Sequence, residues 1–250
     1  MYRTEYFDRE CRRCKLSTGK AVAGQSSVPL NSILGIIVSD YPGANEEEMN
    51  LSLAPDKKKD KSKTSMAAGA YLRLFINHLF SNDLPEYYPI EDYFYFTNAI
   101  KCRKREEAVK DVQRKKCKET WLEVELSQLP NQVPILAAGS EAVKALIGLK
   151  ETINNNRKKL LSYKDHPVIV TYNPINAERG ALRMLVEPPD KVKKDLHILY
   201  DRRKATKYNI SIAAQSKYWK PLLPGMNNYF FLQDLQLFKS QVKNYIKNNL

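Results

Sequence analysis

Four short apolar runs, three of them ending at an Asp or Asn, constrain this chain more than any other feature. They are "SILGIIVSD" (Ser32 to Asp40), "DYFYFTNAI" (Asp92 to Ile100), "VPILAAG" (Val133 to Gly139) and "HPVIVTYNP" (His166 to Pro174). Each has the length and bounding residues of a buried strand. The stretches between them carry helical spacing: "MAAGAYLRLFINHLF" (Met66 to Phe80), a segment from about Glu107 to Gln128, and "SEAVKALIGL" capped by Ser140. Strands that alternate with helices predict an α/β fold, with a parallel sheet covered by helices on both faces. Such sheets bind ligands beyond the C-terminal ends of their strands. Asp40, Asn98 and Asn173 stand at three of those ends.

The rest of the chain is more polar. "LAPDKKKDKSKTS" (Leu53 to Ser65) is a lysine-rich loop, and "DKVKKDLHILYDRRK" (Asp190 to Lys204) reads as a basic helix. Residues 205–250 are rich in Tyr, Lys and Asn and are expected to form an extension packed on the core. No repeat is visible. Lys and Arg number 41 against 28 Asp and Glu, a net charge of +13, which favours a polyanionic partner and nucleic acid above all. No run approaches the roughly 18 apolar residues of a membrane span. The N-terminal segment "MYRTEYFDRECRRC" lacks the apolar core of a secretory signal, so a cytoplasmic location is expected.

The chain has four cysteines. Cys11 and Cys14 form C-x2-C, whereas fourteen residues separate Cys102 from Cys117. Inside a cell, disulfides are not expected of them. Four thiolates suit a zinc ion or an iron–sulfur cluster, and spacing does not choose between the two.

These motifs together resemble the iron–sulfur (family 4) uracil-DNA glycosylases, over roughly Tyr6 to Lys204. "CRRCKL" matches the family's C-x2-C-x-L, and "SDYPG" stands where the family has G-E-x-P-G. "YFTNAIKCR" with Cys117 matches Y-x-T-N-x-x-K-C-R and its later cysteine, "ILAAGSEAVKALIG" echoes a strand and helix, and "TYNP" replaces T-Y-H-P. The resemblance implies a three-layer α/β/α fold with a central four-stranded parallel sheet. Residues 1–204 would form the glycosylase-like domain. It also implies a structural [4Fe-4S] cluster on Cys11, Cys14, Cys102 and Cys117. This cluster would tie the N-terminal arm to the segment after Asn98. The host expected from this reading is a bacterial or phage-infected cell, with the protein near the nucleoid and acting as a monomer.

The resemblance implies a monofunctional DNA glycosylase that flips a nucleotide out of DNA and hydrolyses its N-glycosidic bond. Asp40, in place of the family's Glu, would align water or stabilise the sugar cation. Asn98 would read the base. Asn173, where the family has His, would help the base leave, as in the mismatch-specific branch of the superfamily. The family's stacking Phe has no aromatic counterpart: its position falls near Thr64, and Tyr41 is the candidate replacement. Lys101, Arg103, Lys104 and Arg105 are candidate phosphate contacts, and Arg179 belongs to a wedge loop that lacks the family's leucines. His166 precedes its strand and is read as surface or structural. The missing aromatic wall and the longer lysine-rich loop favour a bulky modified cytosine of phage DNA, an antiviral role, over uracil in repair. Two alternatives stay open: a non-catalytic DNA-binding protein on the same fold, and the covalent uracil-trapping branch, whose loop histidine is missing from "LAPDKKKDKSKTS".

Overall fold

A computed structural model of the chain describes residues 2–3, 7–14, 20–54, 67–104, 108–177 and 227–250. The expected basic helix from Asp190 to Lys204 lies outside them, as do Thr64, Arg105 and Arg179.

The four apolar runs form strands β1 (Gly35–Ser39), β2 (Phe94–Asn98), β3 (Ile135–Ala138) and β5 (His166–Thr171). All pair in parallel. The expectation of four strands is corrected by a fifth. The short β4 (Leu161–Tyr163) adds antiparallel to β5 and gives the order β2-β1-β3-β5-β4. Its signal was weak because it spans only three residues and buries only Tyr163.

The sheet divides its side chains by the two-residue period of a strand. On one face, Ile37, Leu136 and Ile169 pack against Tyr71, Leu72, Phe75, Ile76 and Phe80 of α2 (Ala68–Phe80). On the other, Ile36, Val38, Ile135, Ala137, Val168 and Val170 meet a second layer. That layer holds α3 (Asp111–Cys117), which runs through a π-helical stretch (Lys118–Leu122) into α4 (Glu123–Leu126), together with α5 (Ser140–Leu146). Two short helices, α1 (Ala44–Met49) and α6 (Ile153–Asn156), complete the loops around them.

The C-terminal helix α7 (Asn227–Asn249) belongs to the first layer. Phe231, Leu235, Phe238 and Val242 recur at helical spacing and are fully buried in the core beside α2. Each such side chain contributes about 1.5–3 kcal/mol. A bidentate ion pair from Arg157 to Asp234, at 2.7 and 3.1 Å, ties α7 to the turn after α6.

Candidate active site

The strands are level at their C-terminal ends: Ser39 pairs with Asn98 and Ala138, and Ala138 with Thr171. The chain leaves β1 for β2 on one side and returns to β3 on the other, so the topology reverses at β1. The crevice at such a reversal is where open α/β sheets bind ligands. Asp40 follows β1 and Gly139 follows β3, one on each side of it.

Asp40 is 9 % exposed. Its Oδ1 accepts from the backbone N–H groups of Glu141 (2.7 Å) and Ala142 (3.3 Å) in the first turn of α5, and its Oδ2 accepts from Asn173 Nδ2 at 3.0 Å. Burial raises its pKa to about 6 against the lowering effect of these three hydrogen bonds, and the nearby Glu141 carboxylate adds a further rise. Gly139 makes the approach possible. It sits at φ +126°, and a side chain there would collide with the Asp40 carboxylate. The Asn173 amide is oriented from both ends, because its Oδ1 accepts from the Ile175 N–H at 3.1 Å.

Asp40, Tyr41 and Asn173 line one cleft of about 530 Å³, walled by the small residues Ala44, Ala68 and Gly69. Tyr41 is 36 % exposed at its mouth, with the Lys104 ammonium 6.0 Å from the ring centroid. Arg103 is half exposed, 3.8 Å from Glu47.

Asn98 is brought to the rim but not into the cleft. It is fully buried, and its Nδ2 donates to Ser52 Oγ at 3.0 Å. The Ser52 hydroxyl proton goes to the Ala23 carbonyl, so the amide orientation is set and Asn98 Oδ1 is left buried without a partner among the described residues. The next residues, Leu53 and Ala54, are the ones that line the cleft.

Lys101 corrects an expectation. It is fully buried, not a phosphate contact: its ammonium lies 2.5 Å from both Glu125 Oε2 and Thr97 Oγ1. Glu125 also accepts from Thr97 Oγ1 and the Gly24 N–H, which satisfies the pair inside the core. A charge paired this way is unavailable to DNA. His166 is buried at the opposite end of β5, with Nδ1 2.9 Å from the Val133 carbonyl, and is structural.

Three of the four cysteines gather beside α3. Cys11, Cys102 and Cys117 are buried with Trp121, Val109 and Ile100, and all four are free thiols. Trp121 Nε1 donates to Cys11 Sγ and the Lys101 N–H to Cys117 Sγ, each at 3.3 Å. Burial pushes the Cys117 thiol up to about 12, and neighbouring Cys102 and Cys14 add to the rise. Among the described residues, no group of three or more His, Cys, Asp or Glu is arranged to hold a single metal ion. Sequence reading missed Ser52, Gly139, Arg114 and Glu141. Only the glycine closing "ILAAG" carried a local signal.

A parallel sheet with a buried acid at its point of reversal, held by a helix N-terminus and hydrogen-bonded to an amide in the lining of a cleft, defines an α/β ligand-binding or hydrolytic site. The family model of the uracil DNA glycosylase superfamily matches residues 16–197, and the chain belongs to that superfamily. No curated protein matches the chain. No helix among the described residues is long and apolar enough to cross a membrane.

Proposed function

We propose that this protein is a monofunctional DNA glycosylase that extrudes a modified base and hydrolyses its N-glycosidic bond, leaving an abasic site. The observation that carries the reading is Asp40, buried at the sheet's point of reversal and hydrogen-bonded to Asn173 in the lining of an open cleft. In its ionised form Asp40 aligns water or stabilises the cationic sugar. One N–H of the Asn173 amide binds Asp40, and the second, which has no partner among the described residues, donates to the departing base. Tyr41 offers the ring that stacks on the base. The unpartnered Oδ1 of Asn98 is an acceptor for a base N–H, reached when Leu53 and Ala54 withdraw. Arg103 and Lys104 contact phosphates at the mouth.

Three buried thiols, with N–H donors aimed at two of the sulfurs, fit a [4Fe-4S] cluster on Cys11, Cys14, Cys102 and Cys117. Such a group would cross-link the N-terminal arm to the segments on either side of α3.

For the substrate, the cleft walls favour a base larger than uracil. The alanines at the wall leave room for a substituent, and the amides of Asn45 and Asn176 line the same cleft to meet a polar one. A bulky modified cytosine, as in phage DNA, fits better than uracil, and the role would then be antiviral. The test is a set of duplexes, each with one modified base, incubated with the protein and treated with alkali. Cleavage at a bulky cytosine supports the reading, cleavage at uracil alone returns the enzyme to repair, and background on every base with tight DNA binding supports a non-catalytic binding protein.

A further inference from the structure

The cysteine-bearing helix and the cleft are joined by one chain of polar contacts. Arg114 lies on α3, one turn before Cys117, and its side chain is 3 % exposed. Its Nε donates to Glu141 Oε2 at 2.6 Å, and its other nitrogens reach Asp111 Oδ1 and, at 3.1 Å, the Val109 carbonyl. Glu141, only 13 % exposed, is the residue whose backbone N–H donates to Asp40. Its carboxylate adds a small rise to the pKa of the acid that its own amide stabilises.

Two negative charges in a poorly solvated place oppose each other, and a cation on one relieves both. Lys144 is also near Glu141, at 3.9 Å, but it is more exposed and does not share a hydrogen bond in that geometry. Of the other groups around Asp40, Asn173 is neutral, Tyr41 carries a hydroxyl whose pKa is raised by burial, and Glu46 lines the same cleft with its own carboxylate bound to the Gly43 and Leu53 N–H groups. Arg114 is thus the buried cation that compensates Glu141.

We propose that Arg114 is a positioning residue for the reaction, neutralising Glu141 and pinning the first turn of α5, so that Asp40 is held in place and kept ionised. The inference rests on the glycosylase reading of the site. It gives the cysteine centre a mechanical role in the cleft, because the helix that ends in Cys117 is the one that delivers Arg114.

The experiment compares wild type with Arg114→Gln, Arg114→Lys and Glu141→Gln. It measures single-turnover excision across pH and, independently of activity, the NMR titration of the Asp40 carboxyl. Arg114→Gln leaves Glu141 uncompensated, so the Asp40 titration and the acid limb of the rate move to higher pH. At about pH 6 excision falls on the order of three- to tenfold and recovers at higher pH. Glu141→Gln removes the opposing charge and moves both to lower pH. Arg114→Lys, which keeps the charge, stays between wild type and Arg114→Gln. Equal loss at every pH, or shifts of the same sign in Arg114→Gln and Glu141→Gln, overturns the inference. If wild type excises no base, the glycosylase reading falls, and the order of the three carboxyl titrations still decides the role of Arg114. Should Arg114→Gln not fold, Glu141→Gln and Arg114→Lys carry the same comparison.

Discussion

The Asn173 amide donates to the Asp40 carboxylate at 3.0 Å, although 133 positions separate the two residues. The contact places the acid and the amide proposed to assist the departing base in one hydrogen-bonded unit. A carboxylate buried there is costly, and the cost is a measurable signature of the site.

Asp40→Asn keeps the shape and removes the charge. If Asp40 stabilises a cation or aligns water, excision falls by about a hundredfold to a thousandfold, while DNA affinity is retained. Stability moves the other way. Folding raises the Asp40 pKa from 3.8 to about 6, so the folded state binds more protons in that window and stability falls as pH rises through it. Above about pH 6 the ionised group costs the fold on the order of 3 kcal/mol, part of which the substitution returns as about 1–2 kcal/mol. Thermal melts at neutral pH should show a gain that vanishes near pH 4.

The same pKa governs the rate of the unaltered protein. On the proposed mechanism Asp40 works as the anion, so single-turnover excision should be flat above about pH 6 and fall nearly tenfold per pH unit below it. A rate that rises on acidification would assign the chemistry to another group.

Gly139→Ala forces a side chain onto the Asp40 carboxylate and into a backbone region at φ +126°. A loss of about 1–3 kcal/mol in denaturant melts and a marked drop in excision are expected together.

The buried and exposed members of the basic run should behave differently. Lys101→Met strands the Glu125 carboxylate in the core and should cost about 3–5 kcal/mol, leaving the salt dependence of DNA binding by the folded fraction unchanged. Arg103→Glu with Lys104→Glu should leave stability nearly intact, weaken binding to all sequences alike, and lower the salt slope by roughly two.

The cysteine centre is tested by composition. Anaerobically purified protein should be brown and carry about four irons, and Cys102→Ser should lose iron together with solubility. Colourless protein with one stoichiometric zinc would favour the other metal.

Much of the fold was legible before any coordinates. The four parallel strands stand inside the apolar runs, because strands buried on both faces need continuous apolar sequence. The placement of Asp40 and Asn173 at one rim followed from the parallel pattern. The C-x2-C pair was legible because its spacing is local, whereas the burial of Cys11 with Cys102 and Cys117 is a tertiary fact. Lys101 was misread because a lysine in a basic run looks exposed until its counter-charge is known, and Glu125 reaches it from the helix beyond the cysteine.

What the sequence by itself determined is the period of each element, and hence the layers and the strand ends at which polar residues gather. The strand order, which brings Asp40 and Gly139 to the two sides of one crevice, was decided by the tertiary structure, as was the bridge from Arg114 through Glu141 to Asp40. So was the place of α7, whose Phe231 and Phe238 complete a core begun nearly two hundred residues earlier in the chain. The physical reason is range. Hydrophobic periodicity is written into neighbouring residues, whereas the direction of a buried charge depends on partners that come close only when distant segments have packed.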